Sequence, residues 1–372
     1  MPTNNTSNGI YFTVKALVDE VEVKATHGTL IMAIDDANVQ GIHTYKKLKK
    51  VVENYEDENK AYIARAFSDY GVHKVMVVSG HDDTDGISGS LSDTLKLLNK
   101  VYENGYLIAP QIVSDTDKKT IADFVKSQRN DEDYPLKAVL YNYKADSEAI
   151  INFTGKNLLG QLKDDETADT KTSNEYCVDV ASYLCTLGAN ESITSHIAKN
   201  VTNCDAKDDN DDCVANGELY LYNDGVNIVF SRGVNSLQTI PAEQNEKLTK
   251  IRMVETIDLV KTDIKTMFSN YYSGRIGNSY SNRKTLVNVI NSYLRGLSKM
   301  GYLSNDNAST AELDVEATRN YLETVKGKDT DEMKDIEILQ ADIDSHVFIK
   351  ILLRTMDSCE DFYFSINYTA LN

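Results

Sequence analysis

From residue 91 to residue 153 the chain alternates between helical periodicity and short unbroken apolar runs, a rhythm that few architectures accept. The spacing predicts helices over Leu91–Asn104, stopped by Gly105, and over Lys118–Arg129. Strands are expected over Tyr106–Ala109, Leu136–Tyr141 and Ala149–Phe153. A strand that is apolar at every position must be covered on both faces. Helices alternating with such strands supply the cover, so the pattern points to a mostly parallel sheet with flanking helices. Upstream, Thr29–Ile34 and His73–Ser79 read as two more buried strands. Helical spacing is read over Tyr45–Val52 and over Asn59–Gly71, where Tyr62, Ala66 and Tyr70 share a face and Gly71 is the expected stop. Gly80–Ser90 is rich in Gly, Asp and Ser and reads as a linker. Downstream, the solvated segment QLKDDETADTKTSN precedes a helix expected over Glu175–Leu187 and ended by Gly188.

Gly217–Phe268 adds a hairpin and a long helix. The runs Leu219–Tyr222 and Val226–Phe230 flank Asn-Asp-Gly, the strongest short-range hairpin signal. After Pro241, Met253, Ile257, Val260, Ile264 and Met267 recur on one helical seam. The other face carries Arg252, Glu255, Asp258, Thr262 and Lys265, but Ile251 and Leu259 project there too. Those two are read as contacts beyond the core, with a second layer or another chain. The turn-rich segment Tyr271–Ser281 leads to a second long helix, with Ser281 as N-cap and Leu286, Ile290, Tyr293, Leu297 and Met300 as its seam. It is expected to pack antiparallel to the first. A strand over Ala311–Val315, a helix over Glu316–Lys326 stopped by Gly327 and a strand over Val347–Leu353 follow.

One-faced strands stand at both termini. Ile10, Phe12 and Val14 alternate with polar residues, and so do Phe362, Phe364, Ile366 and Tyr368. Their backbone N–H and C=O groups need partners. On the residues alone two readings stay open: the strands complete a sheet in their own molecule, or each adds to a sheet of a neighbouring subunit.

Most other functions lose support from composition and motifs. At 372 residues more than one domain is the default. A net charge of −18 without clustered Lys and Arg argues against nucleic acid and against an anionic membrane surface. No apolar run approaches the roughly 18 residues of a membrane helix, and MPTNNTSNG lacks the pattern of a signal peptide. The five cysteines are irregularly spaced with no CxxC and read as reduced thiols, so synthesis in a cytoplasm is expected. The six histidines form no HExxH, and GxGxxG, GxxxxGK[ST] and GxSxG are absent. Asp205–Asp212 fails the spacing of a calcium loop, and His81-Asp82-Asp83 with Asp85 lies in the Gly-rich segment that explains the same residues. No catalytic residue, metal or cofactor is assigned. An α/β enzyme or ligand-binding protein remains the alternative, by fold-level analogy.

The wording of several segments carries a resemblance. VKATHGTLIMAI, GIHTYKKL, DTDKKTIADFVKSQR, LKAVLYNYKADSEAIINF, GVNSLQTI, the two long helices, AELDVEATRNYLE and SHVFIKILLRTMDSCEDFYFSINY occur in the order found in contractile-tail sheath proteins of phages and phage-tail-like bacteriocins. The chain is similar in length to the short clostridial-type sheaths, and its acidic Asp205–Asp212 segment departs from their pattern. The resemblance implies an α/β and α+β fold: a mixed parallel sheet with flanking helices (a subtilisin-like α/β body), a C-terminal helical α+β region and extended terminal arms. The implied divisions are a linking arm over 1–22, an N-terminal α/β domain over 23–85, a central sheath domain over 86–235, a tube-facing domain over 236–358 and a second arm over 359–372. The implied function is structural and non-enzymatic: subunits stack in helical rings around a tail tube, exchange arms with neighbours and contract. Ile10, Phe12, Val14, Phe362, Phe364, Ile366 and Tyr368 would form the arm strands. Lys247, Lys250, Arg252, Lys261 and Lys265 would supply a charge-steered contact with the tube. Tail tube, baseplate and tail terminator are the implied partners, with assembly in a host cytoplasm and a final place in a virion tail or an extracellular bacteriocin. Another tail component, such as a tube or baseplate protein, is a second alternative.

Overall fold

The computed structural model describes residues 28–82, 84–99, 101, 103–158, 170–188, 190–240 and 246–365. The chain divides into two units between Glu255 and Thr256, and returns to the first unit at Asp357. In the first unit β1 (Thr29–Asp35), β2 (Gly41–Tyr45), α1 (Asp57–Ser68), β3 (Val75–Gly80), α2 (Gly86–Leu98), β4 (Gly105–Ile108) and α3 (Asp115–Asn130) follow in order. Then come β5 (Leu136–Tyr141), β6 (Ile150–Phe153), α4 (Thr170–Glu175), α5 (Cys177–Leu184), α6 (Asn210–Ala215), β7 (Glu218–Leu219) and the hairpin β8 (Leu221–Asn223) with β9 (Ile228–Phe230).

One seven-stranded sheet runs in the order β2-β3-β1-β4-β5-β6-β7. All its pairings are parallel except the edge strand β2, which is antiparallel to β3. The pleat explains the unbroken apolar runs. Along β1, Leu30, Met32 and Ile34 face one core with Tyr62, Ile63 and Ala66 of α1 and Val178, Ala181 and Leu184 of α5. Ile31 and Ala33 face the other, with Leu91, Leu95 and Leu98 of α2 and Ile121, Ala122 and Val125 of α3. Each fully buried aliphatic side chain contributes about 1.5–3 kcal/mol, which holds the three layers together.

Several expectations are corrected. Where a helix is read over Tyr45–Val52 there is only a single 3-10 turn, Leu48–Lys50, and Tyr45 closes a strand, Gly41–Tyr45, to which the sequence assigned no element. As an edge strand, β2 buries only alternate positions, so its run never looked continuous. Gly80–Ser90 is no linker between domains: β3 and β4 both pair with β1, so the expected boundary at 85/86 falls inside one sheet. The carboxylate of Asp82 accepts from the N–H groups of Thr84 (2.7 Å) and Asp85 (2.8 Å), which folds this stretch into the start of α2. A Cβ on Gly80 would stand 2.5 Å from the Ser90 carbonyl oxygen, so only glycine lets α2 approach β3 this closely. Gly105, read as a helix stop, opens β4 instead, where a Cβ would meet the Thr29 carbonyl at 2.0 Å. The run Leu219–Tyr222 is split at Tyr220 between β7 of the sheet and β8 of the hairpin.

The second unit is α+β. The helix α7 (Ile251–Tyr271) begins in the first unit and continues into the second, followed by α8 (Tyr280–Lys299), β10 (Thr310–Leu313), α9 (Val315–Thr324), α10 (Asp335–Gln340) and β11 (Ile349–Leu352). The N-cap of α8 is Ser279, not Ser281; its hydroxyl accepts from the Asn282 N–H. The two long helices are antiparallel: Met267, late in α7, packs with Val289, and Asp263, earlier in α7, accepts from the Tyr293 hydroxyl at 2.9 Å, later in α8. β10 and β11 form an antiparallel two-stranded sheet.

Candidate functional site

The C-terminal segment is fastened within the first unit by an ion-paired root. Arg232, just after β9, brackets Asp361 with Nη2 at 2.6 and 2.5 Å from its two carboxylate oxygens, and reaches Glu360 at 3.4 Å. Thr194 Oγ1 donates to Glu360 at 2.7 Å, and Lys250 pairs with Asp357. One guanidinium nitrogen thus bridges both oxygens of Asp361 while Nη1 turns to Glu360, and charge-assisted contacts of this kind orient the segment. The Arg232 hydrogen bond holds the Asp361 carboxyl below its ordinary range, and the same contact pushes the guanidinium up. Beyond the root Phe362, Tyr363 and Phe364 are exposed by 67%, 93% and 84%, with the two Phe rings stacked 6.4 Å apart. The described part of the expected terminal strand, residues 362–365, is in no strand. Ile366 and Tyr368, like Ile10, Phe12 and Val14 of the other arm, lie outside the described residues.

In the second unit the two-stranded sheet is covered on one edge. The Asn291 side chain on α8 bonds both backbone groups of Ala311, donating to its C=O (2.9 Å) and accepting from its N–H (2.8 Å). The outer edge of β11 has no strand partner among the described residues. An uncovered edge is a template for another strand.

The structure separates the basic residues of the helix region. Lys247, Lys261 and Lys265 are exposed. Lys250 is half-buried and committed to Asp357. Arg252 is only 6% exposed, and burial holds its pKa below the ordinary value against the opposing pull of Asp357 and Glu360, so it is no surface cation. Ile251 belongs to the larger core cluster of the first unit rather than to a contact beyond the core, because the helix start is packed down where a polar face was expected. Leu259 is half-buried. No periodicity marked Arg232, Glu360, Asp361 or Thr194: their partners are more than a hundred residues apart in sequence.

One group at the carboxyl ends of β1 and β3, where doubly wound sheets bind ligands, resembles catalytic machinery. His81 Nδ1 lies 2.7 Å from Asp35 Oδ1. The nearby Ser90 hydroxyl, however, donates to Asp35 at 3.0 Å rather than to the imidazole, and accepts from the Asp82 N–H at 2.9 Å. A nucleophile must give its proton to the base; this hydroxyl ties the loop to the sheet. The acidic segment at 205–212 is likewise structural, since Asp209 caps α6 through the N–H groups of Asp211 and Asp212. Among the described residues no three His, Cys, Asp or Glu side chains converge as a metal site.

The described residues thus combine a layered α/β body, an exposed aromatic segment fastened at its root and, in the second unit, an open sheet edge. The family described as the phage tail sheath C-terminal domain matches residues 243–369. The tail sheath protein of Clostridium phage phiCD119 is 35% identical over 281 residues, 73% of this chain and 74% of that one. Among solved structures, the sheath tail protein Lin1278 from Listeria innocua has the same fold (TM-score 0.66, 15% identity, 83% of this chain and 93% of that one). So has the contracted helical sheath of the anti-feeding prophage (TM-score 0.63, 12% identity, 92% and 93%). The chain belongs to the contractile tail sheath proteins. Its relatives are structural components of phage tails and injection particles.

Proposed function

We propose that the chain polymerises helically around a tail tube, that its ends link neighbouring subunits, and that the polymer contracts without catalysing a reaction to drive the tube through a cell envelope. The observation that carries the reading is the tail. Three exposed aromatic residues follow a root held by Arg232, and an open edge on β11 offers a strand of another subunit its backbone partners. A two-stranded sheet is marginal alone, so added strands from residues 10–14 and 362–368 would complete it. The segment 236–358 is assigned to the tube side, with Lys247, Lys261 and Lys265 as the charge-steered contact and Leu259 as a further apolar one. Baseplate and tail terminator are the partners at the polymer ends, and assembly takes place in a host cytoplasm. Contraction requires only that the extended polymer be metastable and relax when triggered.

Negative-stain microscopy of the purified protein tests the reading. Hollow tubes are expected, and they should vanish on deletion of residues 362–372 while the deleted chain keeps its melting temperature. Tubes that persist without those residues would remove the arm from the proposal. For the lysines, Lys247→Glu with Lys261→Glu should lower co-sedimentation with the tube protein at least tenfold at low salt, and the difference should shrink as salt rises. Undiminished binding rules the pair out.

A further inference from the structure

The two edges of the seven-stranded sheet carry opposite charge. At one edge β2 runs into the turn Lys46-Lys47-Leu48-Lys49-Lys50, a basic cluster that corrects the expectation of none. All four lysines are exposed, and none forms an ion pair or a side-chain hydrogen bond among the described residues. Leu48 between them is exposed, and Val52 just beyond is 82% exposed. Like charges this close repel one another, and a facing carboxylate surface relieves them.

At the other edge α6 and the loop before it lead through Gly217 into β7. There Asp205, Asp208, Asp209, Asp211 and Asp212 are all exposed. Lys207 among them turns to Glu218 and Thr154 instead. Asp209 caps α6 and Asp205 accepts from the Asn157 amide, whereas Asp208 and Asp212 have no ion pair among the described residues.

Both edges belong to the first unit. Six strand spacings of about 4.8 Å set them about 29 Å apart, several Debye lengths at physiological salt. The charges therefore cannot pair within one molecule, but two copies set side by side bring them together. We infer that the basic turn after β2 of one copy docks on the acidic α6 edge of a second copy, with Leu48 and Val52 in the contact. Because unlike patches meet, every copy keeps one of each for the next, and the series closes into a ring or continues as a helix. The inference rests on the polymer reading above and adds a contact between α/β bodies that needs neither terminal segment. Nucleic acid and anionic lipid offer the lysines the same charge, but the carboxylates that give the chain its net charge of −18 repel both.

Charge reversal in two pools tests it. One pool carries Lys47→Glu with Lys49→Glu, the other Asp208→Lys with Asp212→Lys. All four side chains are exposed, so both pools should keep the melting temperature of the unmodified chain. Each pool alone should need about tenfold more protein to form tubes at low salt, since every contact now sets like charges together. An equimolar mixture should recover the unmodified threshold, because alternating copies restore opposite charges at each contact. Net charge alone predicts the reverse for the second pool, which is less negative than the unmodified chain, so easier polymerisation there overturns the inference. Unchanged thresholds in both pools, or a mixture that fails as its parts do, overturn the contact while leaving the polymer reading intact. A first pool that loses only binding to the tube protein or to phosphatidylserine vesicles gives the turn to that partner and overturns the contact too. If the unmodified chain forms no tubes, the polymer reading and the contact fall together.

Discussion

Replacing Glu255 by leucine is expected to cost the first unit about 3–5 kcal/mol, the usual penalty for stripping one partner from a buried ion pair. Glu255, near the start of α7, lies 3.0 Å from the Lys137 ammonium on β5, and both side chains are almost wholly buried. The Tyr106 hydroxyl on β4 donates to the same carboxylate, and the Lys137 ammonium sits 5.1 Å from the Tyr106 ring centroid. The network thus ties the helix start to two central strands at the point where the first unit ends. Leucine would remove the compensating charge and the phenol's acceptor at once. Denaturant unfolding should show a lower midpoint at unchanged slope. The double substitution Lys137→Met with Glu255→Leu should recover most of the loss, since an apolar pair of similar volume has no charge to desolvate. A single-mutant loss below about 1 kcal/mol would mean that water reaches the pair and that it holds nothing.

Lys137 also shows why some of this was hidden in the sequence. It stands inside an apolar run, LKAVLY, and a period-two reading cannot tell a lysine that snorkels to solvent from one sealed by a glutamate 118 residues away. The sheet itself was readable because both its faces are covered, which makes its strands continuously apolar and sets them apart from helices by length. β5 is therefore legible at its true bounds, whereas β2, half-exposed at the edge, escapes a reading by apolar runs, and the helix expected over Tyr45–Val52 overlaps it only at Tyr45. The seams of α7 and α8 were readable for the same local reason. Ile251 and Arg252 were not: a helical wheel treats a helix as having one buried side, and these residues lie where α7 enters the first unit and is enclosed all round. The tail was seen as a one-faced strand, but its fastening by Arg232 and Lys250 depends on pairs brought together only by the fold.

The contrast between Asp35 and Asp36 leads to the last expected result. Asp35 turns to His81 and Ser90, and the neighbouring carboxylate is fully enclosed. Its Oδ1 accepts from the N–H groups of Asn38 (3.0 Å) and Val39 (2.9 Å), and its Oδ2 from the Glu56 N–H and the Asn59 amide, both at 2.9 Å. Asp36 therefore gathers the end of β1, the approach to β2 and the first turn of α1 around one buried anion. Asp36→Ala strands four donors. At about 1–3 kcal/mol for each buried donor left unmet, and with water entering the space to offset part of it, the net loss should be at least about 3 kcal/mol. Asp36→Asn separates charge and shape from donor matching: the side chain still fits, but its amide nitrogen faces donors in place of an acceptor oxygen, so this variant should lose more than half as much. Calorimetry of both variants checks the result, with the first unit's transition falling by several degrees. An unchanged transition in Asp36→Ala would show that the loop refolds around the gap and that the anion organises nothing.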